Sequence, residues 1–253
     1  MKNLLFTGVA TALATPFNEK GVNLQEFKKF IDFQISSGIN ALVVCGTTGE
    51  ASTMTSVEKI QAIECAVSFS QKRVPIIVGT GSNDTSVAII NSIIAEELGA
   101  DGLLLVTPYY NKTTQEGLIK HFKTIASSVS IPIILYNVPS RTGINILPET
   151  CLELSKVDNI IGIKEASGNV SQVAKIAELC GDNFAIYSGN DEQIVPILSL
   201  GGKGVISVLS NIKPKLTCDI VNSFFKNNVS DACSYQLQAL PLIEKLFEEV
   251  NPI

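Results

Sequence analysis

Lys164 closes the apolar part of Asn159-Ile160-Ile161-Gly162-Ile163-Lys164-Glu165-Ala166-Ser167-Gly168. A β-branched run opened by Asp158-Asn159 and closed by Gly168 reads as a short strand buried on both faces, as in a parallel sheet. An unperturbed lysine, with a pKa of about 10.4, is only ~0.04% neutral at pH 7, but apolar surroundings disfavour the ammonium and lower the pKa by several units. The neutral amine attacks carbonyls, so Schiff-base formation is the chemistry this residue offers. The plain alternative is a lysine that snorkels from a strand end into water or pairs with Glu165. Gly46-Thr47-Thr48-Gly49-Glu50 adds hydroxyls and amides that can meet a carboxylate. Tyr110 and Tyr136 are phenols able to pass protons, and Arg141 can grip a second carboxylate in a two-bond fork. Lysine, hydroxyl relay and arginine clamp together describe carbon-carbon bond chemistry on a keto acid. Taken singly, each has a plain reading as an ordinary turn, rim packing or a surface ion pair.

What would bring these groups together is a fold that ends its strands on one rim. Strand-like segments recur at 7–13, 41–45, 75–79, 102–106, 132–136, 160–164, 185–188 and 204–208, separated by stretches with helical spacing such as Leu24, Phe27, Phe30, Ile31 and Ile35. Helix entries are signalled by Asp84-Thr85-Ser86, by Thr113-Thr114-Gln115-Glu116 and by Leu147-Pro148-Glu149. Eight such alternations favour an α/β fold of the closed parallel kind, a (β/α)8 TIM barrel, over an open sheet. No G-x-G-x-x-G follows the first strand, which counts against a dinucleotide-binding sheet. In a barrel of this kind the chemistry collects at strand C-termini. Here those ends carry Gly46-Thr47-Thr48-Gly49-Glu50, Thr107-Pro108-Tyr109-Tyr110-Asn111, Tyr136 to Gly143, Lys164, Ser188-Gly189-Asn190-Asp191 and Ile206-Ser207. We expect a catalytic barrel over residues 1–229 and a C-terminal helical segment over 230–253. Its helix, at 231–249, should be kinked or broken near Pro241.

With 253 residues, 45% of them hydrophobic, the chain can bury a large core. A net charge of −5 without a basic run offers no footprint for nucleic acid or an anionic membrane. Cys45, Cys65, Cys151, Cys180, Cys218 and Cys233 are scattered singly and the only histidine is His121, so no metal site is expected and the thiols read as free in a reducing cytosol. His121 sits mid-helix and reads as structural or solvated. The N-terminal apolar stretch reads as a first barrel strand rather than a signal peptide, because Thr7, Gly8 and Thr11 interrupt it. No apolar run is long enough to suggest a membrane span.

Three motifs carry a family resemblance: Gly46-Thr47-Thr48-Gly49-Glu50, Tyr136-Asn137-Val138-Pro139-Ser140-Arg141-Thr142-Gly143 and Gly162-Ile163-Lys164-Glu165-Ala166-Ser167-Gly168. They resemble the signatures of the dihydrodipicolinate synthase (4-hydroxy-tetrahydrodipicolinate synthase) family, in order over residues 7–253. The resemblance implies a cytoplasmic, class I aldolase-like barrel that condenses pyruvate with aspartate 4-semialdehyde on the way to diaminopimelate and lysine. No cofactor is implied beyond the covalent pyruvate imine. By motif, Lys164 resembles the Schiff-base lysine and Tyr136 the phenol beside it. Thr47 would link Tyr136 to a Tyr110 supplied by a neighbouring subunit, so at least a homodimer, with a tetramer possible, is implied. Thr48 would hold the pyruvate carboxylate, Arg141 that of the semialdehyde, and Gly189 and Ile206 would offer backbone carbonyls. Sister families, the N-acetylneuraminate lyases and keto-deoxy sugar acid aldolases, share the lysine and tyrosine and are the alternative enzymes. A barrel kept for binding after catalysis has lapsed is the non-enzyme alternative.

The resemblance also implies an effector site for lysine near Ala51, Ser56, Lys59, Asn83, Val87 and Tyr109, where lysine-sensitive relatives place a carboxylate at the position of Val87. Feedback by lysine is therefore expected to be weak. Relatives continue through more helices beyond Glu249-Val250-Asn251-Pro252-Ile253, which suggests a truncated extension and partly open Leu237, Leu240, Ile243, Leu246 and Phe247.

Overall fold

The computed structural model describes Lys2 and residues 4–251. Eight parallel strands close a barrel: β1 (Gly8–Ala12), β4 (Ala41–Val44), β5 (Ile76–Gly79), β6 (Gly102–Val106), β7 (Ile133–Asn137), β8 (Ile160–Glu165), β9 (Ala185–Ser188) and β10 (Gly204–Ser207). A small antiparallel pair, β2 (Phe17–Asn18) and β3 (Gly21–Val22), lies in the first crossover and carried no sequence signal. Around the ring the order is β1-β10-β9-β8-β7-β6-β5-β4, and β4 pairs back onto β1.

The strands are apolar on both faces, so side-chain alternation divides two cores rather than core from solvent. Ala10, Ala12, Val43, Ile77, Leu104, Ile134 and Ile206 fill the barrel. Val9, Leu42, Val44, Ile76, Leu103, Leu135 and Ile163 face the helices. Ala10 and Ala12 of β1 and Ala41 of β4 are among the small members of the interior set, which also contains Tyr136 and Tyr187. Tyr187 is fully buried, stacks on Phe6 at 4.3 Å between ring centroids, and donates its hydroxyl to the Phe6 carbonyl at 2.8 Å.

The outer ring comprises α1 (Leu24–Ser36), α2 (Ser56–Ser70), α3 (Thr85–Glu97), α4 (Gln115–Ala126), the single turn α5 (Pro139–Thr142), α6 (Pro148–Ser155), α7 (Val170–Cys180), α8 (Ile194–Ser199) and α9 (Pro214–Phe225). Asp84 and Thr114 cap α3 and α4 through their side chains, and Pro148 opens α6, as their sequences predict. Thr55 and Glu58 add a reciprocal capping box to α2.

α10 (Val229–Leu246) corrects two expectations. Of the kink or break expected near Pro241 it shows no break, because the carbonyl that proline leaves without an N–H belongs to Leu237, on an exposed turn where water can take it. Ile243 is buried rather than open, since Ala232, Gln236, Ala239 and Ile243 form the stripe that faces the protein. Leu240 and Leu246 are half-buried against the core, and only Leu237 and Phe247 of that set are exposed.

Candidate active site

The inward position of Lys164 depends on an irregularity in β8. Ile133 of β7 pairs with Ile160, but Ile134 pairs with Gly162, so β8 carries one extra residue, Ile161, at this step. A one-residue slip exchanges the faces of everything that follows. Without it Lys164 would share the outward face of Ile160; with it, Lys164 points into the barrel directly opposite Tyr136 and Tyr187. Glu165 turns the other way. Its carboxylate accepts from Asn137 Nδ2 at 3.0 Å, Gln172 Nε2 at 3.1 Å and the Ser167 amide at 2.7 Å. The pairing of Lys164 with Glu165 considered from sequence is therefore excluded by alternation.

Lys164 is 4% exposed, and its Nζ lies 4.4 Å from the centre of the Tyr136 ring. Burial lowers its pKa to about 8, a nearby Asp191 carboxylate opposes that shift, and the Arg141 guanidinium adds to it. At a pKa of about 8, about one amine in ten is neutral at pH 7, roughly two hundred times the unperturbed fraction. The Tyr136 phenol is buried too. Burial raises its pKa, while the charge of Arg141 and the facing Thr47 hydroxyl lower it. Tyr136 therefore keeps its proton in this environment, with the Thr47 hydroxyl next to it.

The loop after β4 is held in a strained shape. Cys45 and Glu50 have positive φ of 55° and 60°, and the Gly49 and Glu50 amides donate to the Gly46 and Thr47 carbonyls at 3.1 and 3.0 Å. Gly49 lies so close to β1 that a Cβ would stand 2.9 Å from the Leu13 carbonyl oxygen, and Thr15 donates to the Gly49 carbonyl at 2.8 Å. Thr48 is buried and Thr47 exposed. Cys45 itself is inert as a nucleophile, since burial pushes its thiol up to about 12. All six cysteines are free.

Gly189 packs against the lysine. A Cβ there would lie 2.6 Å from the Ala166 Cβ and 3.2 Å from Lys164 Cε, and its amide donates to the Glu165 carbonyl at 2.7 Å. Ile206 is fully buried inside the barrel. Arg141 is exposed on α5, with Nη2 donating to the Val250 carbonyl at 3.3 Å and to Asn251 Oδ1 at 3.2 Å, which leaves Nε and Nη1 for another partner. Thr107 tethers the same turn by donating to Thr142 Oγ1 at 3.0 Å. Tyr110 is not gathered with the others: it is 91% exposed, on a backbone at φ 72°. His121 is buried in α4, with Nδ1 2.9 Å from Thr85 Oγ1 and burial lowering its pKa.

Sequence reasoning missed two features. Asp191 was seen only as part of a polar strand end, yet it is buried beside the lysine. The Asn137–Asn145–Gln172–Glu165 network had no periodic signal, because its members come from two strands, a loop and a helix. Among the described residues no cluster of three or more metal-ligating side chains occurs, and no helix is long and apolar enough to cross a membrane.

Comparison with known proteins gives a consistent result. The model of the dihydrodipicolinate synthetase family matches residues 5–253. A protein of Clostridium acetobutylicum named 4-hydroxy-tetrahydrodipicolinate synthase 1 is 56% identical over 249 residues, 98% of this chain and 85% of the relative. The synthase of Acetivibrio thermocellus is 53% identical over 253 residues, 100% of this chain and 86% of that protein. Among solved structures, dihydrodipicolinate synthase from Thermotoga maritima superposes with a TM-score of 0.97 at 39% identity, covering 99% of this chain and 86% of that one. The chain belongs to the dihydrodipicolinate synthetase family.

Proposed function

We propose that this protein is a Schiff-base-forming lyase that condenses pyruvate with L-aspartate 4-semialdehyde to 4-hydroxy-tetrahydrodipicolinate, in lysine and diaminopimelate biosynthesis. The observation that carries the reading is a buried Lys164 with a pKa of about 8, its amine over the Tyr136 ring. The neutral amine adds to the pyruvate ketone, and Tyr136 protonates the departing hydroxyl as water leaves and the iminium forms. Loss of a methyl proton gives the enamine, whose carbon attacks the aldehyde of the second substrate. The amino group of that substrate then displaces Lys164 from the iminium carbon, closing the ring and freeing the enzyme.

Thr48 and its loop suit the pyruvate carboxylate, and the free side of Arg141 suits the carboxylate of the semialdehyde. Gly189 and Ile206 contribute backbone carbonyls. Thr47 passes protons between Tyr136 and a Tyr110 from a neighbouring copy, which makes the working unit a homo-oligomer of at least two chains. The exposure of Tyr110 supports that assignment, since a phenol with no packing in its own chain is free to enter another. We place the enzyme in the cytoplasm and assign it no cofactor beyond the imine. The sugar-acid aldolase, N-acetylneuraminate lyase and lapsed-barrel readings are not favoured, given relatives named as the synthase at 53–56% identity. Intact mass after borohydride reduction with pyruvate, followed by a coupled assay with aspartate 4-semialdehyde, tests the proposal. One reduced imine per chain and turnover of the semialdehyde are expected. Absence of the adduct, or faster cleavage of a sugar acid, would overturn it.

A further inference from the structure

Two buried carboxylates flank the Lys164 strand end, and they are used differently. Glu165 faces the helices, with its oxygens occupied by Asn137, Gln172 and the Ser167 amide. Asp191 lies on the rim that Lys164 reaches. It is 3% exposed, and its Oδ2 accepts from the Val208 and Leu209 amides at 2.9 and 2.8 Å just beyond the end of β10. Oδ1 is buried and, among the described residues, makes no hydrogen bond of ordinary geometry. A carboxylate shut away from water, with the Ser207 hydroxyl near it but no partner in full hydrogen-bond geometry on Oδ1, is costly to keep charged unless a positive charge compensates it.

The backbone that carries Asp191 leaves the barrel next to the lysine strand. β9 runs beside β8 with Tyr187 opposite Lys164 and Ser188 opposite Glu165, and Gly189 then lies against the lysine stem. From α10, Gln236 Nε2 donates to the Asp191 carbonyl at 2.8 Å, so the loop is braced from outside the barrel as well. The charges that act on the amine are Asp191 from the β9 loop and Arg141 from α5, and the Tyr136 ring of β7 lies against it. Those acting on Asp191 are Lys164 and the Ser207 hydroxyl of β10. Its chain neighbour Glu192 feels its charge in turn.

We propose that Asp191 is a positioning residue that acts through Lys164: its carboxylate, fixed by the Val208 and Leu209 amides, is the counter-charge of the Schiff base. This rests on the reading of Lys164 as the imine-forming lysine. The neutral amine and the enamine carry no charge on nitrogen, whereas the iminium carries a permanent one. Forming it consumes one proton and releases one water, and the new cation appears in a space closed to solvent. A carboxylate held there by the backbone stabilises the iminium selectively and offsets the repulsion from Arg141.

Asp191→Asn tests the idea, because an amide oxygen can still accept from the two backbone amides while the charge is gone. Half-maximal trapping by borohydride should need about tenfold more pyruvate, the equivalent of one pKa unit of interaction. The acid limb of kcat/KM for pyruvate should move below its parent position near pH 8, because the free amine loses the group that holds its proton. Gln236→Leu loosens the same loop but keeps the charge, and should leave that limb in place. A second measurement needs no substitution at this position. Asp191 is the buried aspartate among the described residues, so in protein carrying carboxyl-labelled aspartate its raised titration marks it, and pyruvate should drive that titration to lower pH. Trapping and pH limb in Asp191→Asn equal to the parent's, or a carboxyl titration unmoved by pyruvate, would overturn this inference alone. A parent chain that pyruvate and borohydride leave unchanged would overturn it together with the function on which it rests.

Discussion

The barrel wall and the barrel rim contribute to the proposed site in opposite ways. On the wall, Lys164, Tyr136, Gly189 and Ile206 are set by paired strands and packed side chains, and Lys164 and Tyr136 have their acidities changed by burial. On the rim, Thr47, Tyr110 and Arg141 are exposed, and they stand on turns with left-handed residues in or beside them. The wall therefore fixes which bond can be made, through one amine and one phenol in register. The rim fixes which molecules reach that amine and depends on contacts outside the strands: the Val250–Asn251 segment for Arg141, and in the proposed assembly a second chain for Tyr110. In the proposed mechanism rigid parts carry the chemistry and adaptable parts the selection, so substitutions in the two should fail differently.

The largest effect belongs to the wall. Lys164→Met should end imine trapping and lower turnover by at least about 10³-fold. In the parent, imine formation should speed up with pH and level off above about 8, because the neutral amine is the attacking form. The stability consequence has the opposite sign. A lysine whose folded pKa lies below its unfolded value costs stability as pH falls from about 10.5 toward about 8, and the cost is complete below that. At pH 7 the methionine variant should therefore resist urea better, by no more than about 3 kcal/mol and less if Asp191 suffers from losing its partner. A variant that unfolds more readily would show that the lysine supports the fold, and the contrast between wall and rim would lose its meaning.

Gly189→Ala probes how tightly the wall is built. The added methyl would meet Ala166 Cβ at 2.6 Å and the Glu165 carbonyl oxygen at 3.1 Å, both on or beside a central strand, so relief must come from the Lys164 stem or from the β9 loop. Overpacking of this kind costs about 1–3 kcal/mol, and a reacting group displaced by about 1 Å loses about 10²-fold in rate. Kinetics with pyruvate saturating, together with thermal unfolding, separate the two losses. Unchanged turnover would mean that the loop yields and the lysine is not held from this side.

The eightfold frame was legible because apolar strand-length runs alternated with amphipathic helices, and each predicted barrel strand overlaps an observed one. Lys164 was legible as the polar end of such a run. Its orientation was not, since the one-residue irregularity at Ile161 looks like any other isoleucine in a β-branched run and reveals itself only against the pairing of β7. Asp191 was hidden for a similar reason. An acid three residues past a strand reads as a solvated loop, and only the fold shows that the Val208 and Leu209 amides lie over it. Pro241 misled because helix-breaking is a local rule, whereas the tolerance of α10 depends on which of its turns faces water.

On the rim, Arg141→Lys should cost about tenfold in kcat/KM for the semialdehyde, the worth of one charge-assisted hydrogen bond, and leave pyruvate trapping near the parent's. The effect is modest because the guanidinium is exposed and part of it already binds the Val250 carbonyl and Asn251. Single-turnover trapping and steady-state rates, measured side by side, tell the steps apart. Equal loss in both would assign Arg141 to the wall through its charge on Lys164.

The smallest effect concerns the part of the rim beside the first turn of α3. The family resemblance places an effector site at Ala51, Ser56, Lys59, Asn83, Val87 and Tyr109, with a carboxylate where this chain has Val87. Val87 lies in the first turn of α3 and is 43% exposed, and Asn111 Nδ2 donates to the Asn83 carbonyl at 3.2 Å, tying the two loops together. A branched apolar side chain offers the effector's ammonium no counter-charge, and an ammonium drawn from water without one is held poorly. Lysine should therefore inhibit the parent by less than about twofold at concentrations where a coupled site, at a typical 1–3 kcal/mol, would act about 5- to 150-fold. Val87→Glu supplies the missing charge at a position open enough to accept it, and should create saturable inhibition with an inhibition constant at least about fivefold lower than the parent's. Pyruvate trapping should stay as it was, because no wall residue has changed. Strong inhibition of the parent would show that lysine is held there without a carboxylate. A Val87→Glu variant as insensitive as the parent would show that this face of the rim is not coupled to the amine at all.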